Sequence, residues 1–383
     1  MGILPTSNKF PVLLVLNPYS GKNQSREVLE TIVQPALNKA EKPFKVIESV
    51  AQSHTQSYFI DNIKPIITDL VQSLSVVNES APDAPSLSVS RPNSATLQVM
   101  VLGGDGTVHE IVNGILRGLE GTAFVSDEFR PRIELSIIPT GTGNAISTSL
   151  GVTSAQDAVD RFLVGKSVPL RLMMVSTRAQ QNWKIQVYTV VVNSFGLHCA
   201  TVYDSDEFRH LGNDRFRQAA MKNIENLRQY EGQLVLYSPV RRYSRTSRSF
   251  SPAAHDSSSA NGGITISLPG PFTYLLITKQ ASLEPGFTPT PLASTSDDWM
   301  DVLAVQNVGQ AEILQMFGAT SDGKHIEQEK IEYFKTKAIE LETPTKGRLC
   351  VDGEFLTIEG GPEGRVRFEI VSDPDTQLFS VYV

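Results

Sequence analysis

The chain has 383 residues, a hydrophobic fraction of 40%, a formal net charge of −7 and two cysteines, Cys199 and Cys350. That length suits two domains better than one core, the acidic balance argues against nucleic acid as a bulk partner, and two cysteines build no disulfide framework, which points to a reducing compartment. No apolar run approaches the length of a membrane span and no charged-then-apolar leader opens the chain, so neither a transmembrane segment nor a secretory signal is expected.

The first six residues, Met-Gly-Ile-Leu-Pro-Thr, fit the short pattern for myristoylation at Gly2; a frayed tail is the plainer reading. "VLLVL" (12–16) reads as a buried parallel strand that ends at Asn17-Pro18. Residues 25–40 have apolar positions at helical spacing, with Pro35 expected to kink or shorten the helix. "FKVIES" (44–49) is a second strand, and 54–77 a helix with Ile63, Ile66, Ile67, Leu70 and Leu74 on one side. "NESAPDAPSLSVSRPNSA" (78–95) has no period and reads as an exposed insertion. Then come the strand "LQVMVL" (97–102), a glycine turn, the helix "HEIVNGILRGL", the strand "IELSIIP" (133–139), a second glycine turn and the helix start "NAISTSLG". Alternating strands and helices predict a doubly wound α/β domain over 8–165.

After about residue 165 the pattern turns β-rich. "VPLRLMMVS", "KIQVYTVVVN", "GQLVLYSP", "ITISLPGPFTYLLITK", "MDVLAVQN", "IELETPTKGRLCVDGEFL" and "RVRFEIV" predict an antiparallel sandwich or barrel over 166–383, interrupted by one helical stretch at 205–230. Residues 241–262 read as a disordered, low-complexity insertion, and 281–297 as a Pro/Ser/Thr loop. The insertion opens with "RRYSRTSRS" (241–249), whose arginines, Arg241, Arg242, Arg245 and Arg248, have no acid among them. Such a run can touch an anionic surface, although a solvated loop is the plainer reading.

The chemistry concentrates in "VMVLGGDGTVHEIVNG" (99–114). Gly103, Gly104 and Gly106 can take backbone angles closed to other residues and let a phosphate approach their N–H groups, while the helix expected from about Thr107 adds its positive end. Asp105 would repel a bare phosphate. It makes sense as a base for an attacking hydroxyl or as a partner of Mg²⁺. A second turn, Gly141-Thr142-Gly143, follows the next strand, with Asn144 at its helix start. A third polar loop, with Asn17, Ser20, Gly21 and Lys22, follows the first strand. All three belong at the C-terminal edge of one sheet, where α/β ligands sit. No G-x-x-x-x-G-K-[ST] occurs, which excludes an ordinary P-loop, and no G-x-G-x-x-G with a downstream ribose-binding acid follows a strand, which argues against a dehydrogenase.

The motifs "NPYSGK", "GGDGTVHEIVNG", "PTGTGNA", "FRHLGNDRF" and "VDGEFL", in this order over most of the chain, resemble the diacylglycerol kinase catalytic-domain family, with sphingosine and ceramide kinases nearest in form. The resemblance implies an ATP-dependent lipid kinase that uses Mg²⁺ and transfers the γ-phosphoryl group to the primary hydroxyl of a sphingoid base, ceramide or diacylglycerol at a membrane surface, as a cytoplasmic, peripherally membrane-associated enzyme. It makes Asp105 the base for a lipid's primary hydroxyl. Asn17 with its neighbours Pro18 and Tyr19, Gly103 to Thr107, Glu110, and Gly141 to Asn144 would line the nucleotide. Ser49, where the family often has threonine, and His54 would form another nucleotide-contacting loop. Arg209 and Arg215 would reach the phosphates, a role that suits the guanidinium fork. Asp352, Gly353 and Glu354 would return near the metal and phosphates. Taken without the family, Asp352-Gly353-Glu354 reads as a hairpin turn. Arg209 and Arg215 then read as surface arginines partnered by Asp204, Asp206 or Glu207.

The chain departs from the sphingosine kinases at one position. They carry an acid seven residues before the first of these arginines, placed to hold the sphingoid head group; here that position is Val202. A neutral acceptor such as ceramide or diacylglycerol becomes the more natural substrate. The alternatives are an NAD kinase-like enzyme, which shares the Gly-Gly-Asp-Gly-Thr turn, and an inactive nucleotide-binding regulator. Oligomeric state and acyl-chain preference leave no mark in the sequence.

Overall fold

The computed structural model of the chain describes residues 10–51, 53–79, 95–121, 131–179, 182–212, 214–253, 257–258, 264–361, 364–371 and 378–383. The myristoylation pattern and nearly all of the 78–95 insertion lie outside these residues. The chain divides into two compact units: 1–141, 152–170 and 373–383 form the first, and 142–151 with 171–372 the second. The expected division at 165/166 differs from this in three places: the main boundary falls at 170/171, the last strand returns to the first unit, and the segment from Thr142 of the second glycine turn to Gly151 belongs to the second.

In the first unit, β1 (Val12–Leu16) leads to a helical stretch made of α1 (Ser25–Val28), a π segment (Leu29–Val33) and α2 (Gln34–Lys39). Pro35 has no N–H to give and its ring crowds the carbonyl four residues back. The π segment just before it widens the helix, with Gln34 N–H bonding the Leu29 carbonyl, so the expected interruption is a bulge and not a break. Next come β2 (Phe44–Glu48), α3 (His54–Glu79), β3 (Thr96–Gly103), α4 (Asp105–Leu119) and β4 (Arg132–Pro139). After α5 (Ala145–Ser149), which the second unit holds, α6 (Ala155–Val164) and β5 (Ser167–Pro169) complete this part of the chain.

The six-stranded sheet has the order β2-β1-β3-β4, then the chain's last strand (Phe379–Tyr382), then β5. All neighbours are parallel except the last strand and β5. Every residue of β1 is buried, as a strand covered on both faces requires. Val12, Leu14 and Leu16 pack with Leu29, Val33 and Leu37 and with Val159 and Phe162 of α6. On α4, a side chain at Gly114 or Gly118 would meet Gln56 or Ile63, so α3 and α4 approach closely there. β1, β3 and β4 are adjacent, and the three polar loops leave their C-terminal ends together.

The second unit contains β6 (Met173–Ala179), β7 (Asn182–Thr189), β8 (Val192–Gly196), α7 (Leu197–Asp204), a 3-10 segment (Ser205–Leu211) and α8 (Asp214–Glu225). It continues with β9 (Gln233–Ser244), β10 (Ser249–Pro252), β11 (Ser257–Ser258), β12 (Ile264–Pro269), β13 (Phe272–Thr278) and β14 (Met300–Gln306). α9 (Gln310–Gly318), β15 (Ile331–Glu342), β16 (Gly347–Val351), β17 (Glu354–Ile358) and β18 (Arg365–Ile370) follow, and the returning strand is β19. The long strand β15 divides this sheet. Its first half pairs with β14 and its second half with β18, while β9 runs along its other side. The β9 register shifts between Thr336 and Ala338, where the two halves part. Met173, Val175, Val366 and Phe368 from one end of the sheet therefore share a core with Phe195, Leu275, Val302 and Leu349 from the other. The β-rich domain is a curled antiparallel sheet, as its alternating strands predict.

The β-rich "VPLRLMMVS" is shared between the sheets: Ser167–Pro169 joins the first and Met173–Ala179 the second. One expectation needs correction. Residues 241–253 are not a disordered loop, because β9 runs through Ser244 and pairs with β10 as a hairpin.

Candidate functional site

In the first unit the three loops meet. Asn17 donates from Nδ2 to Thr107 Oγ1 at 3.1 Å, while its Oδ1 accepts from Tyr19 N–H. Thr140 N–H bonds the Gly103 carbonyl, and Ser25 Oγ bonds Thr140 Oγ1 at 2.9 Å. Gly21 has φ +56°, and a Cβ there would stand 2.3 Å from the Thr140 carbonyl oxygen. A left-handed angle and backbone in contact both exclude a larger residue. Pro18 continues the loop into Tyr19, which is exposed. Gly21 and Thr140 hold two of the loops together; their sequence signal was the glycine of "NPYSGK".

The Gly-Gly-Asp-Gly-Thr turn is not left-handed. None of Gly103, Gly104 and Gly106 has positive φ, and Gly104 is extended at φ −110° as the N-cap of α4. The helix begins at Asp105, two residues earlier than expected, so the carboxylate sits in its first turn, where the helix dipole favours a negative charge. Gly103 serves space instead. A Cβ on Gly103 would be 2.5 Å from Thr107 Oγ1, whereas one on Gly106 would meet nothing within 4 Å. The open face of the turn is over Gly106.

Glu110 and Ser49 lie in the same unit with local roles. Glu110 Oε1 accepts from Ser53 N–H at 3.2 Å, at a residue with φ +60°, and so steadies the loop that opens α3. Ser49 is buried, and its hydroxyl bonds the Ala51 carbonyl within that loop. His54 is the first residue of α3.

Gly141 is the last residue of the first unit on that pass of the chain, and Thr142, Gly143 and Asn144 belong to the second. Asn144 is the N-cap of α5, and its carbonyl accepts from Thr148 N–H and Oγ1. Ser149 of α5 exchanges two hydrogen bonds with the Ser282 backbone.

Also in the second unit, Arg209 pairs with Asp206 through Nε at 3.0 Å and Nη2 at 3.3 Å, both side chains well exposed. Arg215 lies over the Phe216 ring, 4.5 Å from its centroid. Among the described residues its buried Nε has no hydrogen-bond partner. Burial lowers its pKa, with Asp206 acting to raise it and Arg209 to lower it. The neighbouring acids are committed: Asp204 accepts from Asn223, and Glu207 pairs with Lys222.

Asp352 is anchored to the backbone. It has φ +51° and its carboxylate accepts from three backbone N–H groups, Val190 at 2.7 Å, Val191 at 2.9 Å and Val192 at 2.8 Å. Gly353 has φ +91°, and Val351 faces Glu354 across the turn. Two left-handed central residues make the tight turn that right-twisted strands favour. The Asp352-Gly353 step is thus a hairpin turn whose acid ties β16–β17 to the turn before β8. Glu354 is exposed. Among the described residues no three His, Cys, Asp or Glu side chains gather where a metal ion could be held. No helix among them is long and apolar enough to cross a membrane.

Known proteins share both parts of this chain. Residues 11–175 match the diacylglycerol kinase catalytic domain, and 272–363 match the YegS C-terminal NAD kinase beta sandwich-like domain. Sphingosine kinase 1 of Mus musculus is 24% identical over 94% of this chain and 89% of its own length. Sphingosine kinase 2 of Arabidopsis thaliana is 24% identical over 90% and 69%. Ceramide kinase of Homo sapiens is 23% identical over 59% of this chain and 37% of its own. The crystal structure of a diacylglycerol kinase from Bacillus anthracis str. Sterne superposes with a TM-score of 0.54 at 16% identity, covering 97% of this chain and 96% of that one, which shows a shared fold. The chain belongs to the lipid-kinase family built on the diacylglycerol kinase catalytic domain.

Proposed function

We propose that the chain transfers the γ-phosphoryl group of ATP to the primary hydroxyl of a lipid, with a neutral acceptor, ceramide or diacylglycerol, preferred to a free sphingoid base. The observation that carries this reading is the junction of three loops through the Asn17–Thr107 and Gly103–Thr140 hydrogen bonds, with its open face over Gly106. A phosphate chain fits such a place, because a helix begins there and Gly106 is exposed with open space above it.

Asp105 stands in the first turn of α4 as the base that takes the hydroxyl proton. Phosphoryl transfer spreads charge over equatorial oxygens, so positive groups matter more than covalent chemistry. Arg215, with an unpartnered Nε, and Arg209 are the guanidinium groups for that charge. Mg²⁺ is ordinarily held by one or two carboxylates together with substrate phosphates, which the single carboxylate of the turn suits. It would supply further charge neutralisation. Asn17, Gly103, Gly104, Thr107 and Gly141 to Asn144 are the nucleotide-lining residues of this reading. Ser49 and Glu110 support the neighbouring loop.

The preference for a neutral acceptor rests on α7. Val202 offers no charge, and Asp204, Asp206 and Glu207 are engaged with Asn223, Arg209 and Lys222. Two of these acids already face cations, Asp204 is held by a neutral amide, and Val202 leaves a lipid ammonium without a carboxylate at the position where one was expected. The test is ATP consumption on adding lipid micelles and, separately, NAD. Consumption with NAD and with none of the lipids would overturn the proposal.

A further inference from the structure

We infer that Arg241, Trp299 and Lys337 form a docking point for an anionic membrane surface on the second unit. The inference rests on the lipid-kinase reading for its partner and on geometry for its place. Of the four arginines in 241–249, two are spent internally and a third, Arg248, is exposed beside a carboxylate. Arg242 forms a two-pronged pair with Glu332. Arg245 donates to the Gln328, Glu329 and Ile331 carbonyls, and Arg248 approaches Glu327 at 3.7 Å. Arg241 is different. It is exposed, and its guanidinium lies 4.5 Å from the Trp299 ring centroid. Lys337, at the register shift of β15, brings its ammonium within 5.9 Å of the same ring. Among the described residues neither cation has a carboxylate within ion-pair distance.

The surrounding sequence, "SDDWMD" (296–301), looks acidic, yet its charges are already matched. Asp297 binds Lys279 at 2.7 Å and Lys335 at 3.2 Å, Asp301 binds Lys335 at 2.9 Å, and Asp298 pairs with Arg171 at 2.8 Å. Three acids face three cations, which leaves Arg241 and Lys337 as the local excess. The Trp299 backbone is held rigid because its carbonyl accepts from the buried Lys279 ammonium. The other tryptophan supplies the contrast. Trp183 also has an arginine near its ring, Arg367 at 6.0 Å, but that arginine is paired with Glu340 and Glu369.

A half-buried indole flanked by two unmatched cations suits the headgroup layer, where tryptophan is favoured and each basic residue adds attraction to anionic lipid. In a chain of net charge −7, such a spot would set which face meets the bilayer.

The test is sedimentation of the full chain with phosphatidylcholine vesicles, with and without phosphatidylserine. Binding should require phosphatidylserine. Arg241→Ala should weaken it by about fivefold and Arg241→Ala with Lys337→Ala by roughly thirtyfold. Arg242→Ala removes the same charge from a paired residue and should leave binding unchanged. Equal binding to both kinds of vesicle, a double variant that binds like the native chain, or an equal loss in Arg242→Ala would overturn the inference. Sedimentation involves no turnover, so a chain that failed to phosphorylate lipids could still pass or fail it. The double variant should keep native turnover on lipid presented in neutral detergent micelles.

Discussion

Two of the chain's three Asp-Gly steps, Asp105-Gly106 and Asp352-Gly353, are used in opposite ways. Asp105-Gly106 starts a helix at ordinary backbone angles, with open space where a side chain of Gly106 would project. Asp352-Gly353 is a tight turn at φ +51° and +91°, and its carboxylate is consumed by three amides. The same dipeptide is an accessible edge in one region and a clasp in the other. The surroundings make the difference. A parallel strand feeding a helix leaves N–H groups pointing outward, whereas a hairpin folded against a neighbouring turn satisfies them.

The largest expected effect separates the two acids by chemistry. Asp105→Asn should lower lipid turnover by about 10²–10⁴-fold, the usual contribution of a positioned base, while ATP affinity holds or rises. If rate and ATP affinity fall together, Asp105 shapes the turn and the contrast with Asp352 collapses. Asp352→Asn should behave the other way. An amide cannot accept from all three N–H groups, so folding should weaken by about 2–3 kcal/mol, several degrees in Tm, with turnover per folded molecule kept. Turnover lost at unchanged Tm would move Asp352 to the chemistry.

The glycines sharpen the comparison at a smaller scale. Gly353→Ala forces a Cβ into a left-handed residue and should cost about 1 kcal/mol of stability. Gly106→Ala meets no neighbour and gains helix propensity, so Tm should hold or rise slightly while ATP affinity falls. Equal destabilisation by both would contradict the difference in backbone. A pH-dependent effect concerns the strand beside the Asp352-Gly353 turn. His198 Nδ1 bonds Ser194, which lies opposite Cys350 in the β8–β16 register. Burial lowers the His198 pKa from 6.5 to about 4. The unfolded chain therefore takes up a proton first. Stability from the neutral ring is present above pH 6.5 and is lost as pH falls towards 4. His198→Gln should flatten the Tm profile between about pH 6.5 and 5; an unchanged slope would show that other groups govern it.

Local patterns made much of the fold legible. The run "VLLVL" is β1 residue for residue, because an unbroken apolar stretch before Asn-Pro has few other uses. The strand, glycines and helix of residues 96–119 were equally plain, and so was the meeting of three loops, which follows from adjacent parallel strands. The illegible parts depend on distant partners. Nothing near Asp352 announces that it will bind Val190 N–H, 162 positions earlier. The arginines of 241–249 resembled a solvated loop because the acids and carbonyls that engage three of them lie at 327–332. β19 is four residues long, and its length carries no sign of which sheet it will join. The backbone angles of Gly103 to Gly106 were misread for another reason: glycine content records that a Cβ is excluded, not whether conformation or space excludes it.

The most direct test of the central claim is label transfer from γ-labelled ATP with Mg²⁺ to ceramide, diacylglycerol, sphingosine and NAD, each offered separately to the full chain. The account predicts labelled lipid, with a neutral acceptor ahead of sphingosine and nothing on NAD. Label found on NAD, or released as phosphate with every lipid unmarked, would contradict it.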